Sequence, residues 1–108
     1  MDAISILKRV VEKGASDLHI GVRNKPILRI NGDLVIQEDL PPVTDEETRQ
    51  LLVDITTPEQ LQQFQKEKEL DFAYSVPGLA RFRVNVLLQR STLSFAFRVV
   101  PIKIPTLD

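Results

Sequence analysis

The chain has 108 residues, of which 43% are apolar, and its 14 lysines and arginines nearly balance its 15 aspartates and glutamates. This length and apolar content suit one compact domain and exclude a disordered sequence, while the balanced charge excludes the strong positive field that drives nonspecific nucleic-acid binding. The absence of cysteine excludes disulfides and thiolate metal sites.

The chain begins with a predicted helix and a predicted strand. Apolar residues recur at helical spacing between Asp2, a possible N-cap, and Gly14, which suits the end of a helix. From Ser16 onward, apolar residues fall at every second position, with Leu18 and Ile20 on one face. This change of period predicts one helix followed by one strand.

A hairpin is predicted next. Residues 25–30 and 33–37 are two apolar runs, and Asn31 and Gly32 separate them. An Asn-Gly pair in this position is the strongest short signal for a two-residue turn, because both residues readily adopt positive φ. Strands two and three are therefore expected to pair.

Two helices are predicted in the middle of the chain. Residues 44–47, Thr-Asp-Glu-Glu, have the pattern of a capping box, and this helix is expected to end near Asp54. Residues 57–60, Thr-Pro-Glu-Gln, repeat the pattern with proline at the first helical position, where its missing N–H costs nothing. This second helix is expected to end near Lys68.

Three more strands are predicted after these helices. Residues 70–76 alternate between apolar and polar, and so do residues 81–88 and 92–99 on either side of Arg90 and Ser91. A two-residue turn at Arg90-Ser91 places core residues opposite core residues. The predicted pairs are Leu88 with Leu93, Val86 with Phe95, Val84 with Phe97, and Phe82 with Val99. A slip of one residue would destroy this match.

The order of elements predicts the fold class. One helix, three strands, two helices and three strands indicate an α+β domain, with an antiparallel sheet of about six strands and about three helices on one face. We expect residues 1–100 to form this domain. Residues 101–108 contain two prolines and are expected to begin an interdomain linker.

An arginine cluster is the main candidate site. The predicted register places Arg83 directly opposite Arg98, with Arg81 two residues along the same strand. Like charges opposite one another destabilise a strand pair, so an anion is expected nearby. One interpretation is pairing with carboxylates of this chain, and the candidates are Glu67, Glu69 and Asp71. The other is a phosphate clamp, because guanidinium forks match phosphate oxygens.

Six segments resemble the type IV pilus retraction ATPases of the twitching-motility family. The resemblance covers essentially the whole chain in the right order. The segments are Gly-Ala-Ser-Asp-Leu-His-Ile at 14–20, Arg-Ile-Asn-Gly-Asp-Leu at 29–34, Glu-Leu-Asp-Phe-Ala-Tyr at 69–74, Arg-Phe-Arg-Val-Asn at 81–85, Gln-Arg at 89–90, and Arg-Val-Val-Pro-Ile-Lys-Ile-Pro at 98–105. The resemblance implies a PAS-like N-terminal domain, joined by a short linker to a C-terminal RecA-like ATPase domain, in a hexameric ring at the inner-membrane base of the pilus.

The resemblance also implies a role for the arginines. In this family, arginines on the last strands of the domain reach nucleotide phosphates held by the ATPase domain, and the matching residues here are Arg81, Arg83 and Arg98. The implied cofactors of the full-length protein are ATP and magnesium. The implied partners are the ATPase domain, neighbouring subunits of a homohexamer and the inner-membrane platform protein, with no nucleic acid and no direct membrane insertion. Such arginines would offset phosphate charge during hydrolysis and couple hydrolysis to domain motion.

The sequence lacks the residues that bind and hydrolyse ATP. It contains no Gly-x-x-x-x-Gly-Lys-Ser/Thr loop, and its four glycines are scattered. We therefore expect no catalytic residue in this chain, no cofactor held by it alone and no ATP hydrolysis without a further domain. A chain that ends at the interdomain linker is the simplest interpretation.

Several other side chains suggest sites that the sequence does not support. A metal site at Asp17 and His19 would need more ligands, and a triad of Ser16, His19 and Asp71 lacks a nucleophile elbow. We expect His19 to form a hydrogen bond that orders the junction between helix and strand. Leu87 lies on the arginine face, which indicates either an exposed contact for a neighbouring subunit or a bulge.

Two other functions stay open beside the ATPase domain. A PAS-like fold often encloses a ligand, which would make the chain a small-molecule sensor. A nucleic-acid module is disfavoured because the phenylalanines fall on the face opposite the arginines. The absence of a long apolar run and of cysteine leads us to expect a soluble cytoplasmic domain, associated through its family with the inner membrane.

Overall fold

The computed structural model describes residues 1–101. It confirms the α+β class and the predicted order of helices and strands. In chain order the elements are α1 (Ala3–Glu12), β1 (Asp17–Gly21), β2 (Ile27–Ile30), β3 (Asp33–Ile36), α2 (Asp45–Ile55), α3 (Pro58–Glu67), β4 (Glu69–Val76), β5 (Ala80–Gln89) and β6 (Thr92–Val100). The predicted linker, residues 101–108, lies outside the described residues except for Pro101.

The helix starts are those that the sequence predicts. The Asp2 carboxylate accepts the backbone N–H of Ser5 at 3.1 Å and caps α1. Complete capping boxes begin α2 at Thr44 and α3 at Thr57. Each such cap satisfies backbone donors that the helix itself leaves open and stabilises it by about 1 kcal/mol.

The β2–β3 and β5–β6 hairpins each turn through two residues in left-handed conformations. At the β2–β3 turn, Asn31 and Gly32 have φ values of 51° and 84°. At the β5–β6 turn, Arg90 and Ser91 have φ values of 53° and 65°. Turns of this kind match the twist of the flanking strands. The β5–β6 register is the predicted one, with Leu88 opposite Leu93 and every earlier pair in step.

The six strands form one antiparallel sheet in the order β3-β2-β1-β6-β5-β4. Hairpins join neighbours in each half, but β1 and β6, the first and last strands, lie side by side at the centre. Their register pairs Asp17 with Arg98 and Leu18 with Phe97. Pairing between distant parts of the chain therefore holds the two halves of the sheet together.

The core lies between the sheet and the helices. Its strand residues are the inward-facing apolar set, including the phenylalanines that the sequence assigns to the core: Leu18, Ile20, Leu28, Leu70, Phe72, Phe82, Val84, Val86, Leu93, Phe95 and Phe97. The rings of Phe82 and Phe97 meet edge to face at 6.4 Å between centroids. The helices contribute Leu7, Val10, Leu51 and Phe64, among others. The other side of the sheet carries the arginines, and we call it the open face.

The surroundings of Leu87 distinguish between the two predicted alternatives, an exposed apolar contact and a bulge. The register of β5 with β6 runs unbroken past it, with Leu87 opposite Ser94, so there is no bulge at this point. Its side chain stands on the open face and the residue is 37% exposed. Leu87 is thus an exposed apolar residue.

Candidate functional site

The predicted arginine cluster is assembled on the open face. Arg83 lies directly across from Arg98. Arg81 lies across from Val100, two residues further along the same pair of strands. A surface depression of about 320 Å³ is lined in part by Arg81, Arg83 and Asp71. Arg98 does not line this depression. The three arginines therefore share one face of the sheet, but only Arg81 and Arg83 line the depression.

Arg83 already binds a carboxylate of this chain. Its Nε donates to Asp71 Oδ1 at 3.2 Å, and its Nη2 donates to Asp71 Oδ2 at 3.3 Å. Of the three carboxylates considered from the sequence, the described residues pair only Asp71 with an arginine of the cluster. The side chains are 70% and 50% exposed, and exposed pairs of this kind are weak. An external anion can therefore compete for Arg83.

Arg98 binds a carboxylate that the sequence did not assign to it. Its Nε donates to Asp17 Oδ2 at 3.3 Å, and in the described part of the chain its Nη atoms make no hydrogen bond. The Asp17 side chain is only 12% exposed and also accepts the Ser16 hydroxyl at 2.6 Å. Asp17 thus contacts the Nε atom of Arg98, and the two Nη atoms of the exposed guanidinium group are left to bind another acceptor.

The Asp17 carboxylate is held in its charged form. Burial acts to raise its pKa, but the hydrogen bonds from Ser16 and Arg98 and the positive charge of Arg98 outweigh burial, so the pKa lies below its ordinary value. Cross-strand pairing also sets Asp17 between Arg29 and Arg98. Asp17 is therefore the single acidic residue in a cross-strand row that continues from Arg98 to Arg83 on β5.

Arg81 differs from the other two arginines. Within residues 1–101 it forms no ion pair, whereas Arg83 and Arg98 each hold one aspartate. The two aspartates offset two of the three positive charges and leave the cluster net positive. The arrangement can donate several N–H groups to an anion from exposed side chains, which is the chemistry of a phosphate contact.

The other candidate residues are not brought together. His19 and Asp71 lie on β1 and β4 with two strands between them, a separation of about 14 Å at the usual strand spacing. Across residues 1–101 the His19 side chain makes no hydrogen bond, so the predicted ordering bond is not observed among the described residues. Ser16 orders that junction instead, through Asp17 and through the Arg29 carbonyl.

Metal ligands are scattered as well. In the part of the chain that the structure describes, no three His, Asp or Glu side chains are placed to hold a metal ion. The described helices also include none with the length and apolarity of a membrane span. The open face therefore presents arginine donors as its distinctive chemistry.

The interior offers little room for a sensed ligand. Phe82, Phe97 and Leu18 are fully buried between the sheet and the helices. An apolar pocket of about 260 Å³ does exist, but it lies at the start of α1, against Leu40 and Val43. The phenylalanines face away from the arginines, as predicted, so the open face lacks aromatic residues for base stacking.

Comparisons with known proteins identify relatives across the whole chain. No protein-family model matches. The chain is 37% identical over 108 residues to the type IV pilus retraction ATPase PilT of Pseudomonas aeruginosa, and 33% identical over 108 residues to the type IV pilus ATPase PilU of the same organism. It spans 31% of the first relative and 28% of the second.

Solved structures give the same result. A crystal structure of the pilus retraction motor PilT with bound ADP matches 97% of this chain at a TM-score of 0.88 and 33% identity, and the match covers 31% of that chain. The ATPase DotB of Legionella pneumophila, at 21% identity, shares the fold with a TM-score of 0.70 over 94% of this chain and 28% of its own.

Proposed function

Over its 108 residues this chain belongs to the family of type IV pilus retraction ATPases, and we propose that it is the N-terminal regulatory and assembly domain of such a motor. The chain spans 31% of its PilT relative, so the remaining parts of the full-length protein are also proposed. We propose a C-terminal RecA-like ATPase domain and a homohexameric ring. We also propose a cytoplasmic position at the inner-membrane base of the pilus and contact with the platform protein.

The proposed contribution of this chain to the motor is its arginine cluster. We propose that Arg81, Arg83 and Arg98 contact the phosphates of a nucleotide held by the ATPase domain. Their exposure and net positive charge support this role, as does the bound ADP of the PilT structure. Such donors would offset charge that develops on phosphate oxygens during phosphoryl transfer.

The described residues do not suit magnesium. Both carboxylates near the cluster, Asp17 and Asp71, are engaged by arginines, and no third acidic group joins them within residues 1–101. The sequence also contains no phosphate-binding glycine loop. The proposal therefore assigns ATP and magnesium binding to the ATPase domain and only phosphate contact to this chain.

The same contacts would couple hydrolysis to motion. A triphosphate attracts three arginines more strongly than a diphosphate does, so this domain would close on its partner in one nucleotide state and open in the other. Leu87, exposed on the same face of β5 four residues from Arg83, is a candidate contact for a neighbouring subunit. The single observation that carries the proposal is the pair Arg83 and Arg98, held opposite each other on an exposed face.

The test uses the full-length motor. Substituting Arg83→Ala should lower the ATPase rate by about tenfold or more and slow pilus retraction, because a phosphate donor is lost. Arg49→Ala is the matched control, since it removes the same charge from α2, away from the open face. Turnover and retraction at wild-type levels in Arg83→Ala would contradict the proposed contact. The gene sequence after residue 108 provides a separate check, because the proposal requires a Walker A loop there.

A further inference from the structure

A second basic cleft lies at the opposite end of the sheet from the arginine cluster. The turn after β1 and the β5–β6 turn form its walls, and its volume is about 420 Å³. Arg23 and Arg90 line it, together with Asn24, Gln89 and Ser94. A cleft of this volume falls in the range of small-molecule sites.

The cleft carries positive charge that no lining residue offsets. None of its nine lining residues is acidic. In residues 1–101 neither Arg23 nor Arg90 forms an ion pair, whereas Arg9, Arg49 and Arg83 each hold an aspartate. An anion in this cleft would be attracted by both guanidinium groups that line it.

The backbone at both arginines is in a conformation that other residues adopt more easily. Arg23 has a φ of 68° and Arg90 a φ of 53°, in the left-handed region that favours glycine and asparagine. The β2–β3 hairpin uses Asn31 and Gly32 in the turn that corresponds to Arg90-Ser91. Strained backbone of this kind concentrates at binding sites, where the side chain matters more than the turn.

We propose that this cleft binds a phosphate group between the guanidinium groups of Arg23 and Arg90. Guanidinium groups match phosphate oxygens in shape and charge, and the Asn24 amide lines the same cleft as a further donor. This site is separate from the proposed nucleotide contact, because the paired strands place Ser94 and Arg98 at opposite ends of β6. The phosphate group belongs either to a soluble ligand or to a lipid headgroup.

The first experiment is an NMR titration of the 108-residue chain with inorganic phosphate at constant ionic strength. Backbone amides of residues 22–24 and 89–94 should shift and saturate. Arg23→Asn and Arg90→Asn should each weaken binding about threefold, and about tenfold together. Asparagine accepts the left-handed backbone, so these variants keep the turn. Arg81→Asn, which removes the same charge at the other end of the sheet, should leave the titration of these amides unchanged.

The second experiment distinguishes the two sources of phosphate. Co-sedimentation with phosphatidylglycerol vesicles that depends on Arg23 and Arg90 assigns the site to a lipid headgroup. Phosphate binding without vesicle binding assigns it to a soluble ligand. The proposal is overturned if the cleft amides do not shift, or if the double variant binds phosphate as tightly as the unsubstituted chain.

Discussion

Individual side chains on the open face differ in how they are held. Asp71 meets Arg83 side on through two hydrogen bonds, and both side chains are at least half exposed. Asp17 is mostly buried and meets Arg98 through one nitrogen. Asp71 therefore competes directly with any anion that Arg83 would bind, while Asp17 leaves most of Arg98 available.

Asp71→Asn should raise the affinity of the chain for inorganic tripolyphosphate about two- to fivefold, because an exposed ion pair worth a few tenths to 1 kcal/mol no longer competes. Isothermal titration calorimetry measures this change. Glu69→Gln is the matched control, since it removes the same charge two residues away on β4, and within residues 1–101 Glu69 holds no arginine. An equal gain in both variants would show that general charge, and not the Arg83 contact, sets the affinity.

At the scale of elements, the two-residue turns of the β2–β3 and β5–β6 hairpins adopt the same geometry with different residues. Asn31-Gly32 suits a left-handed turn, whereas Arg90-Ser91 adopts it against the ordinary preference of both residues. The β5–β6 hairpin forms in spite of its turn, because its inward faces pair large apolar side chains along the whole ladder. Side-chain pairing therefore fixes this register more than turn chemistry does.

The double substitution Arg90→Asn and Ser91→Gly should raise the free energy of unfolding by about 1 kcal/mol, because both left-handed positions lose their steric cost. Urea denaturation followed by circular dichroism measures the gain. The reciprocal exchange, Asn31→Arg with Gly32→Ser, should lower the free energy of unfolding by a similar amount. No gain in the first variant would mean that the arginine turn is not strained.

At the scale of the whole molecule, the central β1–β6 pairing joins the first and last strands. Leu18 packs into the core opposite Phe97, and on the open face Asp17 pairs with Arg98. The ion pair thus links the two halves of the sheet across its centre. Because the folded pKa of Asp17 lies below its ordinary value of 3.8, the charged carboxylate favours the folded state.

The stability of the chain should therefore fall in acid through Asp17. Its contribution is fully present above the unfolded pKa of about 3.8 and is lost as the pH falls through the lower folded pKa. Urea unfolding at about pH 7 and about pH 3 should show that Asp17→Asn is the less stable protein at the higher pH, with a smaller difference at the lower pH. Arg98→Gln should reduce this pH dependence. A difference that is the same at both values would contradict the role of the Asp17 charge.

The sequence alone determined the features that local patterns encode. These features are the helix caps at Asp2, Thr44 and Thr57, the alternation of apolar and polar residues in the strands, and the β5–β6 register. They follow from residues close together in the chain, because neighbouring backbone donors and facing side chains set them. The same register places Arg83 opposite Arg98.

The pairing of distant strands sets which carboxylates meet these arginines. The pairing of Asp17 with Arg98 spans 81 positions and depends on β1 lying beside β6, which no local pattern encodes. The second basic cleft likewise forms where turns at Arg23 and Arg90 meet. Electrostatic contacts depend on distance in space, so residues far apart in sequence acquire their partners only when the sheet has formed.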